Sequence, residues 1–290
     1  MANLKDIRKR IQSVKNTQKI TQALKLVSAA KLSRAQSEMN KLRPYAEKLR
    51  GLVNELSAGS EAPTPLFEVR PERRRVAALV LTSDRGMCGA FNSALLKRFA
   101  RYAATEQAQG VEVVAFPLGR RAMSFVRKGD YQLGEALGQI VAPDTLERLP
   151  SIARQLVGGF EEGEFDEVVI FVNRFKNAIT QEPERQRFLP ISLDEEAAGE
   201  AEGQSVDRLY EPSREALLSA IVPQALETQL RQAILESIAG EHAARMNAMS
   251  NATDNASDMI RSLTLTLNRA RQAAITKELM EIISGSEALK

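Results

Sequence analysis

The stretch RVAALVLTSDRGMCGAFNSALLKRFARYAATEQ, from Arg75 to Gln107, carries the pattern that decides the fold of the central part of the chain. It begins with the continuous apolar run VAALVL, which is typical of a strand buried on both faces. A loop with two glycines follows, and the remainder has the composition of a helix. The order strand, glycine loop, helix is also the one that cradles phosphate groups. The stretch therefore leaves two alternatives for the loop, a nucleotide site and a tight turn.

The glycine loop departs from the phosphate-binding motifs in its spacing. Gly86 and Gly89 give neither G-x-G-x-x-G nor G-x-x-x-x-G-K-[ST], and no lysine follows the second glycine at the phosphate-reaching position. No acidic residue stands out as a magnesium ligand. The pattern favours a tight strand-to-helix turn, with glycines for the backbone dihedral angles and Asn92 or Ser93 as the helix cap.

The composition restricts the chemistry that the chain can perform. One cysteine, Cys88, and one histidine, His242, exclude an intramolecular disulfide and a Cys-rich zinc site, and they argue against most metal–histidine sites and most catalytic triads. We predict that Cys88 is a small packed residue and that His242 lies on a helix surface. No catalytic residue, cofactor site or metal site is predicted. We also expect no transmembrane helix, because no apolar run approaches eighteen residues, and no signal peptide.

Strand and helix patterns alternate from Arg75 to about Pro190, which predicts a parallel, Rossmann-like α/β domain over residues 75–210. The further strand patterns are VEVVAFPLG and DEVVIFVNRF, with ITQEPERQRFLPIS as an edge hairpin or strand, and the further helix patterns are RRAMSFVRKG and PDTLERLPSIARQLVGGF. The segment LDEEAAGEAEGQ reads as an acidic, exposed loop.

Both ends of the chain show helical periodicity with a narrow apolar seam, over residues 1–58 and 212–290. The N-terminal seam is predicted at Leu4, Ile7, Ile11, Val14, Ile20, Leu24, Val27, Leu42, Tyr45, Leu49, Leu52 and Leu56. The C-terminal seam is predicted at Met249, Ala252, Ala256, Ile260, Leu263, Leu267, Ala270 and Ala274. Pro44 is a candidate kink, and AGSEAPTP reads as a linker. We predict that the two terminal helices pair as a long antiparallel coiled coil.

The terminal helices carry features that indicate a partner. From Met1 to Arg50 thirteen basic residues oppose three acidic ones, so this segment has a net charge of about +10. Nucleic acid, anionic lipid and an acidic protein surface would all match it. The alanine-rich C-terminal seam buries little apolar area, and the final stretch AAITKELMEIISGSEALK is too apolar for an exposed tip. A thin rod of this kind suggests insertion into a partner's cavity.

Four stretches together carry a family resemblance. They are IRKRIQSVKNTQKITQALKLVSAAKL, LTSDRGMCGAFN, ARMNAMSNATDNA and ARQAAITKELMEIISGSEA. They match, in order and at the right length, the gamma subunit of the bacterial rotary ATP synthase, so the chain resembles that family. The resemblance implies a coiled coil that fills the cavity of a hexamer of alternating alpha and beta subunits. It also implies an α/β domain against the epsilon subunit and the membrane ring of c subunits.

The function that the resemblance implies is that of a central rotor shaft in a proton-translocating F-type ATP synthase. Rotation of the c-ring turns the shaft, and the shaft drives the catalytic beta subunits through their affinity states. The chain itself would be a non-catalytic subunit, peripheral to the cytoplasmic face of the bacterial inner membrane. In physical terms, the shaft acts as a ligand that binds three conformations of the beta subunit with unequal free energies.

The resemblance also assigns residues by position. Contact with the beta subunit is implied for Arg245, Arg271, Gln272, Thr276, Glu278 and Leu24, where Leu24 replaces the methionine that is usual in the family. The basic face of the first helix is expected to meet an acidic loop of beta, with a solvated charged face as the alternative. Contact with the c-ring or epsilon is implied for Tyr210 and Glu211.

Two other functions remain as alternatives. A nucleotide-binding α/β enzyme with a coiled-coil arm would need a phosphate loop that binds. A basic coiled coil that binds nucleic acid would need stacking aromatic residues among its cations, and the first helix has only Tyr45. We therefore expect protein partners and no nucleic acid.

Overall fold

The computed structural model describes residues 4–58, 65–140, 145–192, 210–211 and 213–287, with side chains of the last helix as far as Ser284, and the chain divides into two units. The coiled-coil unit contains Met1–Ala29 and Arg245–Lys290, and the sheet unit contains Ala30–Ala244. Helix α1 spans Leu4–Ala58 and the last helix, α5, spans Arg214–Glu287. Most of the predicted linker and the predicted acidic loop lie outside the described residues.

The sheet unit is an α/β fold in which helices cover both faces of one sheet. Its elements are β1 Arg75–Leu81, α2 Phe91–Ala108, β2 Glu112–Leu118, α3 Arg120–Lys128, β3 Gln132–Leu133, α4 Thr145–Glu161, β4 Glu167–Phe175 and β5 Gln181–Leu189. The five strands lie in the order β3-β2-β1-β4-β5. All pairs are parallel except β4 with β5, so the predicted Rossmann-like core is confirmed, and ITQEPERQRFLPIS forms an antiparallel edge strand.

Two hydrophobic cores hold the helices on the sheet. On one face, α2 and α3 pack on the sheet through residues such as Phe99 and Val126. On the other face, α4 packs together with the parts of α1 and α5 that belong to this unit, through residues such as Leu156, Leu56 and Leu230. Strands β1, β2 and β4 are buried over most of their length, which explains why most of their residues are apolar.

Charged side chains join the beginnings of the strands. Arg73 donates to Glu167 at 2.6 Å and to Glu106 at 3.2 Å, and both carboxylates are almost fully buried. This bond with Glu167 raises the pKa of Arg73. The backbone N–H groups of Arg74 and Arg75 donate to Asp166 at 2.7 and 2.9 Å. Burial acts to raise the pKa of Asp166, but these bonds and Arg70 outweigh it, so the pKa lies below its ordinary value.

The coiled-coil unit pairs its two helices in an antiparallel direction. Gln18 donates to Ser257 at 2.7 Å, and Lys25 donates to Ser250 at 3.0 Å. Thr21 shares a 2.7 Å hydrogen bond with Thr253. The residue numbers of the partners on α5 decrease as those on α1 increase, which is the order expected of antiparallel helices.

The predicted seam on α5 is confirmed, but the one on α1 is wrong in part. All eight predicted α5 positions are buried or half-buried. On α1, Ile20, Val27, Tyr45 and Leu52 are exposed by 60, 53, 50 and 38%. The three-and-four spacing that begins at Leu4, Ile7, Ile11 and Val14 continues instead through four polar residues, Gln18, Thr21, Lys25 and Ser28, which are buried or half-buried. At Pro44 the helix continues.

Candidate partner-binding surface

The glycine loop between β1 and α2 is closed by hydrogen bonds within itself. Asn92 accepts from the backbone N–H of Ser83 at 3.0 Å, and its amide donates to the Ser83 hydroxyl at 2.7 Å and to the Cys88 sulfur at 3.1 Å. The residue before α2 is Ala90, and it makes no side-chain capping bond. The prediction that Asn92 or Ser93 caps α2 is therefore wrong, because Asn92 fastens the loop to the end of β1.

The adjoining turn, between β2 and α3, approaches the end of β1 closely. Gly119 has φ +102°, and a Cβ placed there would collide with the carbonyl oxygen of Thr82. The Thr82 hydroxyl accepts from the backbone N–H of Ala122 at 2.7 Å, and Asp84 accepts from that of Arg120 at 3.1 Å. A carboxylate therefore occupies the N-terminus of α3, where it interacts favourably with the helix dipole. This favours the tight-turn interpretation over a phosphate cradle.

The single cysteine and the single histidine of the chain are both buried. Cys88 is 2% exposed, which confirms that it is a small packed residue. His242 is 6% exposed, so its predicted place on a helix surface is wrong. In the part of the chain that the structure describes, no group of three or more His, Cys, Asp or Glu side chains could hold a metal ion.

Four of the predicted beta-contact residues lie together near the end of α5. Arg271, Gln272, Thr276 and Glu278 fall within about two turns and are all exposed. Arg245 lies at the other end of the coiled-coil unit, about 40 Å away along the helix at 1.5 Å per residue, and is only 7% exposed. Leu24 on α1 is half-buried. The structure thus groups four of the six residues, and all six contacts remain predictions.

The predicted c-ring or epsilon residues differ in their surroundings. The hydroxyl of Tyr210 donates to Glu55 at 2.7 Å, and the guanidinium of Arg214 lies over its ring at 4.8 Å. The half-buried ring also packs against the sheet-unit core. Glu211 is exposed. Tyr210 therefore bonds and packs within its own chain, and the contacts of both residues with the c-ring or epsilon remain predictions.

Large apolar side chains are exposed in the coiled-coil unit. On α5, Ile275, Leu279 and Ile282 are exposed by 50, 53 and 69%. On α1, Leu26 is 64% exposed, in addition to Ile20 and Val27. The sequence prediction missed this α1 surface, although a strict heptad count from Leu4 would have found it. Among the helices in the described ranges, none combines the length and apolarity needed to cross a bilayer.

The chain combines an α/β unit, whose glycine loop is closed by hydrogen bonds, with a pair of helices that expose basic and apolar side chains. This combination is typical of proteins that act by contact with other chains. The family model described as ATP synthase matches residues 3–289. The ATP synthase gamma chain of Herpetosiphon aurantiacus is 44% identical over 297 residues, covering 100% of this chain and 99% of the relative. That of Trichlorobacter lovleyi is 43% identical with both chains fully covered. The chain therefore belongs to the family of ATP synthase gamma chains.

A solved structure shows the same fold. A chain of the Euglena gracilis mitochondrial ATP synthase, from a structure of its OSCP, F1 and c-ring in rotational state 3, is similar with a TM-score of 0.67. The similarity covers 99% of this chain and 94% of that one at 19% identity. At this identity the likeness describes the fold alone, and it includes the long terminal helices.

Proposed function

We propose that this chain is the central rotor shaft of a proton-translocating F-type ATP synthase. The coiled-coil unit would lie in the cavity of an alpha–beta hexamer, and the sheet unit would meet the epsilon subunit and the c-ring. Rotation would then change which beta subunit faces which side of the shaft. Unequal contact free energies would shift each beta subunit between its conformations.

The observation that carries this proposal is the construction of the coiled-coil unit. Its two helices are held by cross-helix hydrogen bonds between Gln18, Thr21, Lys25 and α5, while its apolar side chains near the end of α5 remain exposed. A slender pair of helices that exposes apolar residues is stabilised when a surrounding protein covers them. Arg271, Gln272, Thr276 and Glu278 supply polar groups whose hydrogen bonds, about 0.5–1.5 kcal/mol each, can form and break during a turn.

The proposal includes a non-catalytic role, with catalysis in the beta subunits and no cofactor on this chain. This role is supported by the burial of Cys88 and His242. It is also supported by the glycine loop, where Ser83 and Asn92 form hydrogen bonds with each other. Equilibrium dialysis of the purified chain against ATP separates this role from the alternative of a nucleotide-binding enzyme. Micromolar binding by the isolated chain would favour the enzyme.

The location that we propose is peripheral, at the cytoplasmic face of the bacterial inner membrane. Alpha and beta subunits would surround the coiled-coil unit, and beta would be contacted through the six predicted residues, which include Leu24 and Arg245. Tyr210 and Glu211 would lie toward the c-ring or epsilon, with Tyr210 positioning Glu211 through its bond to Glu55.

Rotation inside the hexamer is the decisive test. Ile179 is 83% exposed in the turn between β4 and β5, so Ile179→Cys in a Cys88→Ser background offers one attachment point for a gold particle. The labelled chain should co-purify with alpha and beta, and ATP should drive unidirectional rotation of the particle. A control complex without ATP should show none. Hydrolysis of ATP by a complex in which the particle stays still would overturn the proposal.

A further inference from the structure

A polar cavity of about 160 Å³ lies within the sheet unit, between the C-terminal part of α1, strand β5 and the N-terminal part of α5. Its walls on the two helices are formed by residues three or four positions apart, which is the spacing of one helix face. The polar residues of these walls include Arg50 and Asn54 on α1, Arg187 on β5, and Thr228, Gln229 and Gln232 on α5.

Two of the polar side chains that line this cavity are more than nine-tenths buried. Asn54 and Thr228 are each 8% exposed. Neither side chain forms a hydrogen bond with any residue that the structure describes. A buried polar group without a partner destabilises a fold. We therefore expect the amide of Asn54 and the hydroxyl of Thr228 to bond to something that enters the cavity.

The charged residues that line the cavity are both arginines. Arg50 is exposed and forms no ion pair within the described part of the chain. Arg187 has a side chain that is 46% exposed, and its Nε lies 3.4 Å from Glu167, whose closer partner is Arg73 at 2.6 Å. Among the described residues, no carboxylate lines the cavity. Because guanidinium groups bind oxyanions through parallel N–H groups, this lining matches an anion and not a cation.

The volume of the cavity restricts the size of the anion. A cavity of about 150 Å³ holds a molecule of the size of benzene, whereas sites for drug-sized ligands have volumes of about 300–1,000 Å³. At about 160 Å³ the cavity accepts an ion of a few heavy atoms, such as inorganic phosphate, and is too small for a nucleotide.

We propose that this cavity, called the anion cavity, binds a free, doubly charged oxyanion of the size of inorganic phosphate. The exposed guanidinium groups of Arg50 and Arg187 supply the positive charge at its mouth, and Asn54 and Thr228 donate hydrogen bonds from its buried end. The amide of Gln229 donates to the backbone carbonyl of Arg187 at 3.4 Å and joins two of the walls. The inference does not rest on the proposed function, since it concerns residues of the sheet unit alone.

Titration of the purified full-length chain with inorganic phosphate tests the proposal. Calorimetry in chloride buffer at constant ionic strength should show saturable binding at a single site. Phosphate should also raise the unfolding temperature, because a ligand that binds only the folded state stabilises it by RT ln(1 + [L]/Kd). Binding that does not saturate, or a shift no larger than chloride gives at equal ionic strength, would overturn the proposal and leave the cavity as a water site.

Two variants of α1 separate the cavity from general attraction to a basic helix. Arg50→Gln should weaken phosphate binding about ten-fold, equivalent to about 1.4 kcal/mol. Lys48→Gln is the matched control, because Lys48 is an exposed cation on the same helix that does not line the cavity. It should leave binding unchanged, and equal losses in the two variants would contradict a specific site.

Asn54→Leu gives a readout that a purely structural role of Asn54 would not produce. Leucine has the same branching at Cγ and no N–H group, so phosphate binding should be lost. Stability in urea without phosphate should be at least that of the original chain, because an apolar group replaces a buried amide without a partner. A variant that is less stable and still binds phosphate would overturn the role of Asn54. If this variant does not fold, the comparison of Arg50→Gln with Lys48→Gln still decides, because both positions are exposed.

Competition identifies the source of the anion. Vesicles of phosphatidylglycerol should not displace phosphate, because two of the donors are more than nine-tenths buried and a head group held at a membrane surface cannot reach them. ATP should not displace it either, because of its size. Displacement by vesicles or by ATP would overturn the assignment to a small free ion. Failure of the proposed function is seen separately, when the chain does not co-purify with alpha and beta, whether or not phosphate binds.

Discussion

The hydrogen bond between Thr21 and Thr253 provides a quantitative test of the polar seam. The two hydroxyls are 2.7 Å apart, and each also lies within 2.9 Å of a carbonyl of its own helix, that of Gln18 or Met249. Thr21→Val replaces a hydroxyl by a methyl group of similar size and leaves the Thr253 hydroxyl with one partner fewer. We expect a loss of about 1 kcal/mol in the free energy of opening of this segment, because the hydroxyl that remains is part-buried.

The double variant should behave differently from the sum of its parts. With Val at both positions the seam becomes apolar, and no hydroxyl remains without its partner across the helices. The free energy of opening should therefore return to within about 0.5 kcal/mol of the original, which gives a coupling energy of about 1–1.5 kcal/mol. Native-state hydrogen exchange at the backbone amides of residues 248–258 measures this opening without unfolding the sheet unit.

The matched control is Thr264→Val, because Thr264 is exposed and its hydroxyl donates to the Ile260 carbonyl of its own helix, at 2.7 Å. Its effect should be within about 0.3 kcal/mol of zero. The reasoning is refuted if Thr21→Val changes protection no more than this control does, or if the two Val substitutions are additive. Either result would mean that the cross-helix hydrogen bond contributes nothing to the pairing of α1 with α5.

Four further predictions concern the sheet unit and the end of α5. Asp166 has a lowered pKa, so its contribution to stability is complete above its unfolded value near 4 and is lost as pH falls through the folded value; Asp166→Asn should flatten this acid limb in urea titrations, and an unchanged limb would contradict it. Gly119→Ala should cost about 3 kcal/mol because of its positive φ and the Thr82 carbonyl, whereas Gly51→Ala, in open space on α1, should stabilise slightly; similar effects in thermal unfolding would show that the turn relaxes. Arg73→Ala should cost about 2 kcal/mol by leaving Glu106 and Glu167 without this partner, and Arg74→Ala, whose ion pair is exposed, should have no measurable effect on unfolding. Removal of residues 279–290 should reduce torque in the rotation assay more than it reduces assembly, since the pairing of α1 with α5 around residues 250–257 remains; complete loss of assembly would contradict this.

The sheet unit could be predicted from the sequence because its local signals agree with one another. Strands β1, β2 and β4 each contain a continuous apolar run, and each is followed by a turn with glycine or a polar residue. Strand β3 was missed because its two residues, Gln132 and Leu133, are too short to show a period. The capping of α2 was also wrong, since nothing in the sequence shows that Asn92 bonds backward to Ser83.

The coiled-coil unit could be predicted less well because two signals compete in α1. Hydrophobicity selects Ile20 and Val27 as seam residues, whereas continuation of the heptad selects Thr21 and Ser28. The heptad prediction is correct, because the residues that pair with another helix keep the same spacing along the whole helix. Hydrophobic residues instead mark every surface that becomes buried, including surfaces that other chains bury. Burial of His242 was missed for a related reason, since a single polar residue on a helix carries no information about its neighbours.

These departures from the folding rules are informative about function. The sheet unit places apolar side chains inside. Its glycine loop is closed by its own hydrogen bonds, and its buried charged side chains pair with one another. Outside the cavity between α1, β5 and α5, its sequence is therefore explained by its own stability. The coiled-coil unit places Thr21 and Lys25 inside and Leu26 outside, and it leaves Ile282 exposed near the end of α5. Sequences break local rules where another requirement acts on them. Because the conflict lies along the paired helices and not at Gly86 and Gly89, it supports the proposal that the helices contact other subunits.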